Sequence, residues 1–345
     1  MAELFFLLSG ENETLPAAEL TAILEAECFV FRVKEKLDQV VRLSATPSVV
    51  QVVHCRSAYT MASALELFAC KAEEGAIVKA AENLDFAKAL NDGETFAVRV
   101  KRIKDHSLQI GTVPLEAELG NYILRKVPKA KVNLKTPDKT FFGILTTGKF
   151  LFGVKQAEIE PKTFSERRPR KKPFFHPSAM PSKLARCMVN LSRARRGEMV
   201  LDPFCGTGSV MIEAGFVGCR VLGFDVQRRM ADGTQKNLVH FGIRAEGVVV
   251  ADSRLLPMVH VDRVVSDPPY GKSATTLKST TKCLVEGMLG SAWGLLRSGQ
   301  RICIASPKTL DISRIGETLG YRHIESHFAY VHGTLTREIA VFEKV

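Results

Sequence analysis

Ser266-Asp267-Pro268-Pro269-Tyr270-Gly271 closes an apolar run at 261–265 that only Asp262 and Arg263 interrupt. A short apolar run bounded by turn residues reads as a buried parallel strand. Two successive prolines cannot donate to a ladder and they hold the chain extended, so the strand ends there. The stretch therefore sets a carboxylate, a proline carbonyl and an aromatic ring at the carboxyl edge of a sheet. Open α/β sheets receive their ligands at that edge. Pro-Pro-Tyr-Gly in isolation is equally a turn, and its weight comes from what lies upstream.

There, 198–204 (EMVLDPF) reads as a second buried strand that runs into Cys205-Gly206-Thr207-Gly208-Ser209 and then a helix at 210–218. Strand, glycine turn and helix bring a nucleotide-like ligand against bare backbone N–H groups and a helix N-terminus. Met211 stands where the third glycine of a dinucleotide fingerprint belongs, and no phosphate-binding lysine follows. Both facts disfavour NAD and ATP. Asp202, just ahead of the loop, suits a cofactor that carries a positive charge or an amine. The strand at 220–224 ends in Asp225, where a carboxylate holds a ribose diol, and the strand at 248–250 ends in Asp252-Ser253, placed to meet an adenine edge. Each acid alone also suits a helix N-cap. Three strand-end acids in register with a glycine loop favour the ligand reading.

The chain has 345 residues, 46% hydrophobic and 25% charged, which fits a globular protein of two to three domains. Lys and Arg number 48 against 37 Asp and Glu, a net charge of +11. The excess points to a polyanionic partner, nucleic acid first, although a solvated basic face produces the same count. Eight cysteines without any CxxC spacing argue against a zinc site or a disulfide framework and suit a reducing cytoplasm. No metal site is expected. The apolar run at 4–8 is short and lacks a basic flank, and no stretch approaches the ~20 apolar residues of a membrane span. The expectation is a soluble, cytoplasmic protein with no membrane partner.

The first 160 residues read as alternating strands and helices without a catalytic constellation. Strands are expected at 4–8, 40–43, 49–54, 94–103, 132–134, 141–145 and 149–154, and helices at 16–26, 62–72, 80–90 and 114–127. In ETFAVRVKRI (94–103), Arg99, Lys101 and Arg102, with Lys104 just beyond, form either a wet strand edge or a surface that follows phosphates. The run 161–173 (PKTFSERRPRKKP) holds six basic residues, one acid and three prolines, which marks a linker that cannot pack a core. Arg167, Arg168, Arg170, Lys171 and Lys172 are its candidate RNA contacts. Phe174-Phe175-His176-Pro177-Ser178-Ala179-Met180 leads to a helix at 182–194 with Ser182 as N-cap. His176 reads as structural. Helices at 287–296 and 312–319, a strand at 301–306, and strands at 323–330 and 335–342 around a His332-Gly333-Thr334 turn complete the chain, with His327 and His332 as surface residues.

LDPFCGTGSVMIEAG, GFDV, ADSRLLP and SDPPYG together resemble the S-adenosylmethionine-dependent methyltransferases of the class I, Rossmann-like α/β fold, over about 174–345. The resemblance implies S-adenosylmethionine as cofactor, with Asp202, Gly206 and Gly208 near its methionine part, Asp225 near the ribose and Asp252 near the adenine. Phe204 and Ser253 join them as cofactor contacts. A box of the DPPY type belongs to the subset that methylates exocyclic or amide nitrogens. FAVRVKRI, LEAELG and VNLKTPDKTFFGIL…FLFGV resemble the α+β THUMP domain of RNA-modifying enzymes, and 1–50 looks like the ferredoxin-like piece that accompanies it. The expected organisation is thus 1–50 ferredoxin-like, 51–160 THUMP, 161–173 basic linker and 174–345 methyltransferase. The combination resembles the archaeal and eukaryotic tRNA guanine-N2 methyltransferases, above all the archaeal family acting at position 10 to give mono- and then dimethylguanosine. The partner it implies is tRNA. Eukaryotic relatives use an activating subunit. For this chain the need for one stays open, with a monomer expected in its absence.

In that reading Asp267 and the Pro268 carbonyl accept hydrogen bonds from the guanine amine, whose lone pair is otherwise delocalised into the ring, and Tyr270 stacks on the flipped base. Cys205 sits in the cofactor loop rather than in the DPPY box, against a covalent mechanism. The rivals are the same chemistry at tRNA position 6 or in ribosomal RNA, a protein glutamine N-methyltransferase (whose box typically begins with Asn), and a non-catalytic RNA-binding module.

Overall fold

The computed structural model describes residues 1–159, 162–270, 280–332 and 335–345. Gly271 and the Gly333-Thr334 part of the expected turn lie outside the described residues. The chain forms two compact units. One comprises Met1–Glu13, Phe29–Cys55 and Thr60–Glu160, and the other Thr14–Cys28, Arg56–Tyr59 and Pro161–Val345.

Among the described residues, the first unit holds an eight-stranded sheet. Its order is Arg32–Leu37, Val40–Ala45, Ala2–Leu8, Thr60–Lys71, Lys149–Glu158, Lys139–Thr146, Thr95–Arg102 and Lys131–Val132. Pairing is antiparallel except around Thr95–Arg102, which runs parallel to both neighbours. Strands from the first 45 residues thus join the same sheet as those of 60–158, so no boundary falls near residue 50. Phe86, Phe96, Phe141, Phe150 and Phe152 are fully buried, and Phe141 stacks on Phe152 with ring centroids 5.8 Å apart.

Two segments reverse their expected type. Residues expected as a strand at 49–54 form the helix Val49–Arg56. Val49, Val50 and Val53 are buried while Gln51 and Cys55 are exposed, a helical spacing that outweighs the β-branched composition. The alanine-rich 62–72 is not a helix but part of the strand Thr60–Lys71, paired on both sides. Its helix-forming residues yield to the ladder, and the close approach needs a glycine opposite: a Cβ at Gly153 would lie 2.2 Å from the Leu65 carbonyl oxygen. The helix expected at 80–90 starts earlier, as Glu74–Glu82, with a short 3-10 turn at Phe86–Lys88.

The second unit is built on a seven-stranded sheet among the described residues. Its order is Gly247–Val250, Arg220–Asp225, Met199–Asp202, Arg263–Ser266, Arg301–Pro307, Leu335–Lys344 and Tyr321–His332. The first five run parallel and the last two form an antiparallel hairpin. The order of strands reverses beside Met199–Asp202, which opens a crevice beyond the carboxyl ends.

The helix Leu15–Ala26 counts with this unit rather than with an amino-terminal piece. Its Glu19 is fully buried and accepts bonds from Ser57 Oγ (2.7 Å), the Ala58 and Tyr59 amides and Asn190 Nδ2 (2.8 Å) of helix Ser182–Leu191. Burial raises the Glu19 pKa against those bonds. His327, expected at the surface, is buried and bonds to Thr14 Oγ1 (2.9 Å) and Glu325 (3.1 Å).

The segment 161–173, expected as a basic linker, is folded among its described residues. It folds into the helix Lys162–Glu166 and a 3-10 turn at Pro169–Lys171. Arg167 is buried and grips both carboxylate oxygens of Glu213 (2.7 and 3.2 Å), which also takes Arg186 at 2.9 Å. Lys172 is buried with its Nζ on Ser209 Oγ at 2.7 Å, and burial lowers its pKa to about 8. Neither is available to RNA, because each completes a buried polar set at the helix Ser209–Val217. Ser182 is the first residue of its helix, not its N-cap, and its hydroxyl donates to the Arg167 carbonyl. Arg168, Arg170 and Lys171 stay exposed. In the first unit Lys101 is exposed, Arg99 reaches the Leu134 carbonyl (2.8 Å), and Arg102 braces the 106–110 loop through the His106, Ser107 and Ile110 carbonyls. Among the described residues no helix is long and apolar enough to cross a membrane.

Gly153→Ala is expected to overpack the first unit and cost about 1–3 kcal/mol. Chemical denaturation should show a lowered midpoint, and a midpoint equal to wild type would contradict the backbone approach.

Candidate active site

The glycine loop follows from its neighbours. Met199–Asp202 ends in Asp202, whose Oδ1 accepts from the Phe204 amide (3.2 Å) and from Ser266 Oγ (2.6 Å) on the adjacent strand. Gly206 and Gly208 both adopt positive φ, at 53° and 77°, a region that favours glycine. Thr234 Oγ1 donates to the Gly206 carbonyl at 2.7 Å, and its methyl would meet a Cβ on Gly208 at 3.0 Å. Gly223 on the neighbouring strand leaves room for Met211 and Cys205, whose atoms a Cβ there would meet at 2.3 and 2.9 Å. Cys205 is buried and burial holds its thiol well above the ordinary range, so it is a packing residue.

Beyond the strand ends lies a partly open cleft. Phe204, Gly206, Asp225, Asp252, Ser253, Asp267, Pro268 and Tyr270 all line it. Asp202 and Gly208 do not. Asp202 is buried behind the wall, and Gly208 starts the helix Ser209–Val217. Asp225 takes the Gly206 amide on one oxygen (3.1 Å) and the Gln227 amide on the other (2.8 Å), and burial raises its pKa. Each oxygen keeps a lone pair for a ligand hydroxyl. The Asp252 carboxylate is engaged by Arg254 (3.0 Å to Nε), which lowers its pKa. Ser253 beside it is buried. Gly206 presents backbone, and among the described residues an added Cβ would meet Met230 Cε and the Phe204 carbonyl no nearer than 3.8 Å. Bare backbone beside an acceptor for a diol fits a nucleoside cofactor.

Several lining residues escape a sequence reading. His176 and Ser178 reach the cleft because Asn237 clamps the strap before them, accepting from the Phe174 amide (2.8 Å) and donating to the Phe174 carbonyl (2.9 Å). A Cβ at Gly233 would lie 2.1 Å from the Phe174 ring. Arg337 is the other. It is buried, donates from Nη2 to Asp267 Oδ2 at 3.1 Å, and donates from Nε to the Tyr270 hydroxyl. The last strand but one in the sheet runs antiparallel, so its start lies at the edge where the parallel strands finish. A lone arginine at the head of LTREIAVFEK was the available signal.

Asp267 itself accepts from Arg337 through Oδ2, and its contact with the Tyr270 hydroxyl also favours the anion. Its Oδ1 is buried and has no hydrogen-bond partner among the described residues. Burial raises its pKa while the Arg337 charge opposes the shift. Asp202, 2% exposed, is pushed from the ordinary 3.8 to about 7 by burial.

A family model for the THUMP domain matches residues 71–154, and one described as an RMKL-like methyltransferase domain matches residues 169–337. The tRNA (guanine(10)-N2)-dimethyltransferase of Methanothermobacter thermautotrophicus is 37% identical, over 99% of this chain and 100% of its own length. The enzyme of the same name from Methanocaldococcus jannaschii is 30% identical, over 99% of each. Among solved structures, TrmN from Thermus thermophilus aligns with a TM-score of 0.55 at 21% identity, covering 99% of this chain and 100% of that one, a likeness of fold. The expected pairing of a THUMP domain with a Rossmann-like methyltransferase domain holds, and S-adenosylmethionine with it as the cofactor.

An acid with a raised folded pKa keeps a proton that the unfolded chain has released. Its contribution to stability therefore falls as pH rises from about 4 to about 7 and levels off above. The stability of wild type relative to Asp202→Asn should decline across that window in urea titrations at stepped pH. A pH-independent difference would contradict the burial of this carboxyl.

Proposed function

Because the chain belongs to the family of archaeal tRNA (guanine(10)-N2)-dimethyltransferases, we propose that it transfers methyl from S-adenosylmethionine to the exocyclic N2 of a guanosine in tRNA, at position 10, going on to the dimethylated base. The observation that carries the site assignment is the buried Oδ1 of Asp267 at the cleft wall, without a hydrogen-bond partner among the described residues. A buried acceptor of this kind costs free energy until a donor reaches it, and a guanine amine is such a donor.

The residues divide the work. Gly206, Asp225 and Ser253 would hold the cofactor, which supplies an electrophilic methyl. Asp267 Oδ1 and the Pro268 carbonyl accept the two amine hydrogens and hold the nitrogen for in-line attack. As the nitrogen–methyl bond forms the methyl–sulfur bond breaks to a neutral thioether, and the carboxylate favours the positive charge on nitrogen and takes the proton it then sheds. Tyr270 offers a ring for stacking of the extruded base, an interaction worth ~1–3 kcal/mol. Extrusion from a stem costs a few kcal/mol, offset by contacts elsewhere on the tRNA. The THUMP domain and the exposed Lys101, Arg168, Arg170 and Lys171 supply phosphate contacts.

The assay combines labelled S-adenosylmethionine, an unmodified tRNA transcript, nucleoside analysis and position mapping. Label at N2 of guanosine 10 is expected, with Asp267→Ala lowering kcat by about 10²–10³-fold or more. Label at position 6 would move the target while keeping the chemistry, and label on a protein glutamine instead would sink the RNA reading. Replacing Arg168, Arg170 and Lys171 together with Gln should weaken tRNA binding. Its logarithmic salt dependence should flatten by about 0.7–0.9 for each phosphate left without its cation. An unchanged slope would remove these side chains from the interface.

A further inference from the structure

Arg337 lies outside the DPPY box, 67 residues beyond Tyr270, yet it is the side chain that the box leans on. Its Nη2 donates to Oδ2 of Asp267 (3.1 Å) and its Nε donates to the Tyr270 hydroxyl. The guanidinium carbon is 5.6 Å from the Tyr270 ring centroid, and both the arginine and Asp267 are largely buried, with side chains 10% and 16% exposed. We propose that Arg337 is a positioning residue for methyl transfer: by pinning Oδ2 of Asp267 and the hydroxyl of Tyr270 at once, it leaves Oδ1 as the acceptor aimed at the substrate amine and sets the tyrosine ring for the base. This rests on the function proposed above and deepens it.

The geometry explains why one residue does both. A planar guanidinium presents Nε and Nη2 donors in a fixed fork, so the carboxylate and the phenol are held at a set separation. A lysine in its place would offer charge without that fork. Charge matters too, because burial disfavours the Asp267 anion, against which Arg337 and a hydrogen bond with Tyr270 both act. Asp202 lies behind it on the neighbouring strand, and Asp225 and Asp252 line the same cleft, with Tyr270, His176 and Arg229 the other ionisable groups on its walls among the described residues. Burial pushes the Asp267 pKa up, and the Arg337 charge is the largest influence that pulls it down. The ionised Asp267 carboxylate accepts more strongly than the acid and favours the positive charge that develops on the amine, so activity falls as pH drops through its pKa.

The experiment compares wild type, Arg337→Met and Arg337→Lys on unmodified tRNA across pH, with the S-adenosylmethionine dissociation constant and thermal melting measured in parallel. For Arg337→Met, kcat should fall about 10²-fold at neutral pH, and the acid limb of the profile should move up by about one to three pH units, so that activity partly returns at high pH. Cofactor affinity should stay unchanged. Arg337→Lys should keep the limb near its wild-type position while kcat stays low, since charge is retained and the fork is lost. A uniform loss at every pH, or a loss that tracks weakened cofactor binding, would overturn the inference. If the Met variant fails to fold, the Lys variant decides: wild-type kcat there would overturn the positioning role. A wild type that places no methyl on guanine N2 sinks the functional reading as well, whereas guanine methylation with an unmoved limb sinks this inference alone.

Discussion

The hydrogen bond from Ser266 to Asp202 ties the two central strands together at the point where the sheet reverses its order. On one side of it hangs the glycine loop, through the Phe204 amide on the same Asp202 oxygen. On the other side the next residue is Asp267. One buried carboxyl therefore links the glycine loop to the strand that carries the DPPY box. Such a group is costly to ionise out of water, and its raised pKa is the measure of that cost.

Charge is used differently in the layers around this point. Behind the loop, Glu213 is shared by Arg167 and Arg186, and Lys172 bonds to Ser209. A buried set of this kind is hard to break, since removing one partner strands the others without water. In front of the loop, Asp225 and Asp267 each keep acceptor capacity that the described residues do not consume. The same residue types thus have saturated partners on one side of a strand end and spare acceptor capacity on the other.

In the proposed function, a nitrogen with two hydrogens would meet a carboxylate oxygen and a proline carbonyl, both pure acceptors, and the pair could orient it without removing a proton before attack. In the role proposed for it, the fork of Arg337 would fix the carboxylate, and a fixed acceptor discriminates between amine donors by geometry. An RNA-docking THUMP domain earlier in the chain narrows the amine to one on a nucleic acid.

The catalytic half is legible from local signals. A GxG turn between strand and helix, acids at successive strand ends and the double proline all act within a few residues, through glycine conformation and the missing proline donor. Hence Gly206, Asp225, Asp252 and Asp267 stand out before any fold is known. Tertiary structure alone decides what those signals leave open. Whether Ala62 to Ala64 form helix or strand depends on two neighbouring strands that pair with them from far along the chain. Arg167 and Lys172 look like RNA contacts by composition, and only the approach of Glu213 and Ser209 turns them inward. Arg337 reaches the site because the last strands return antiparallel to the sheet edge. A long-range contact has no local signature, because the partner that lowers its free energy is brought in by the fold.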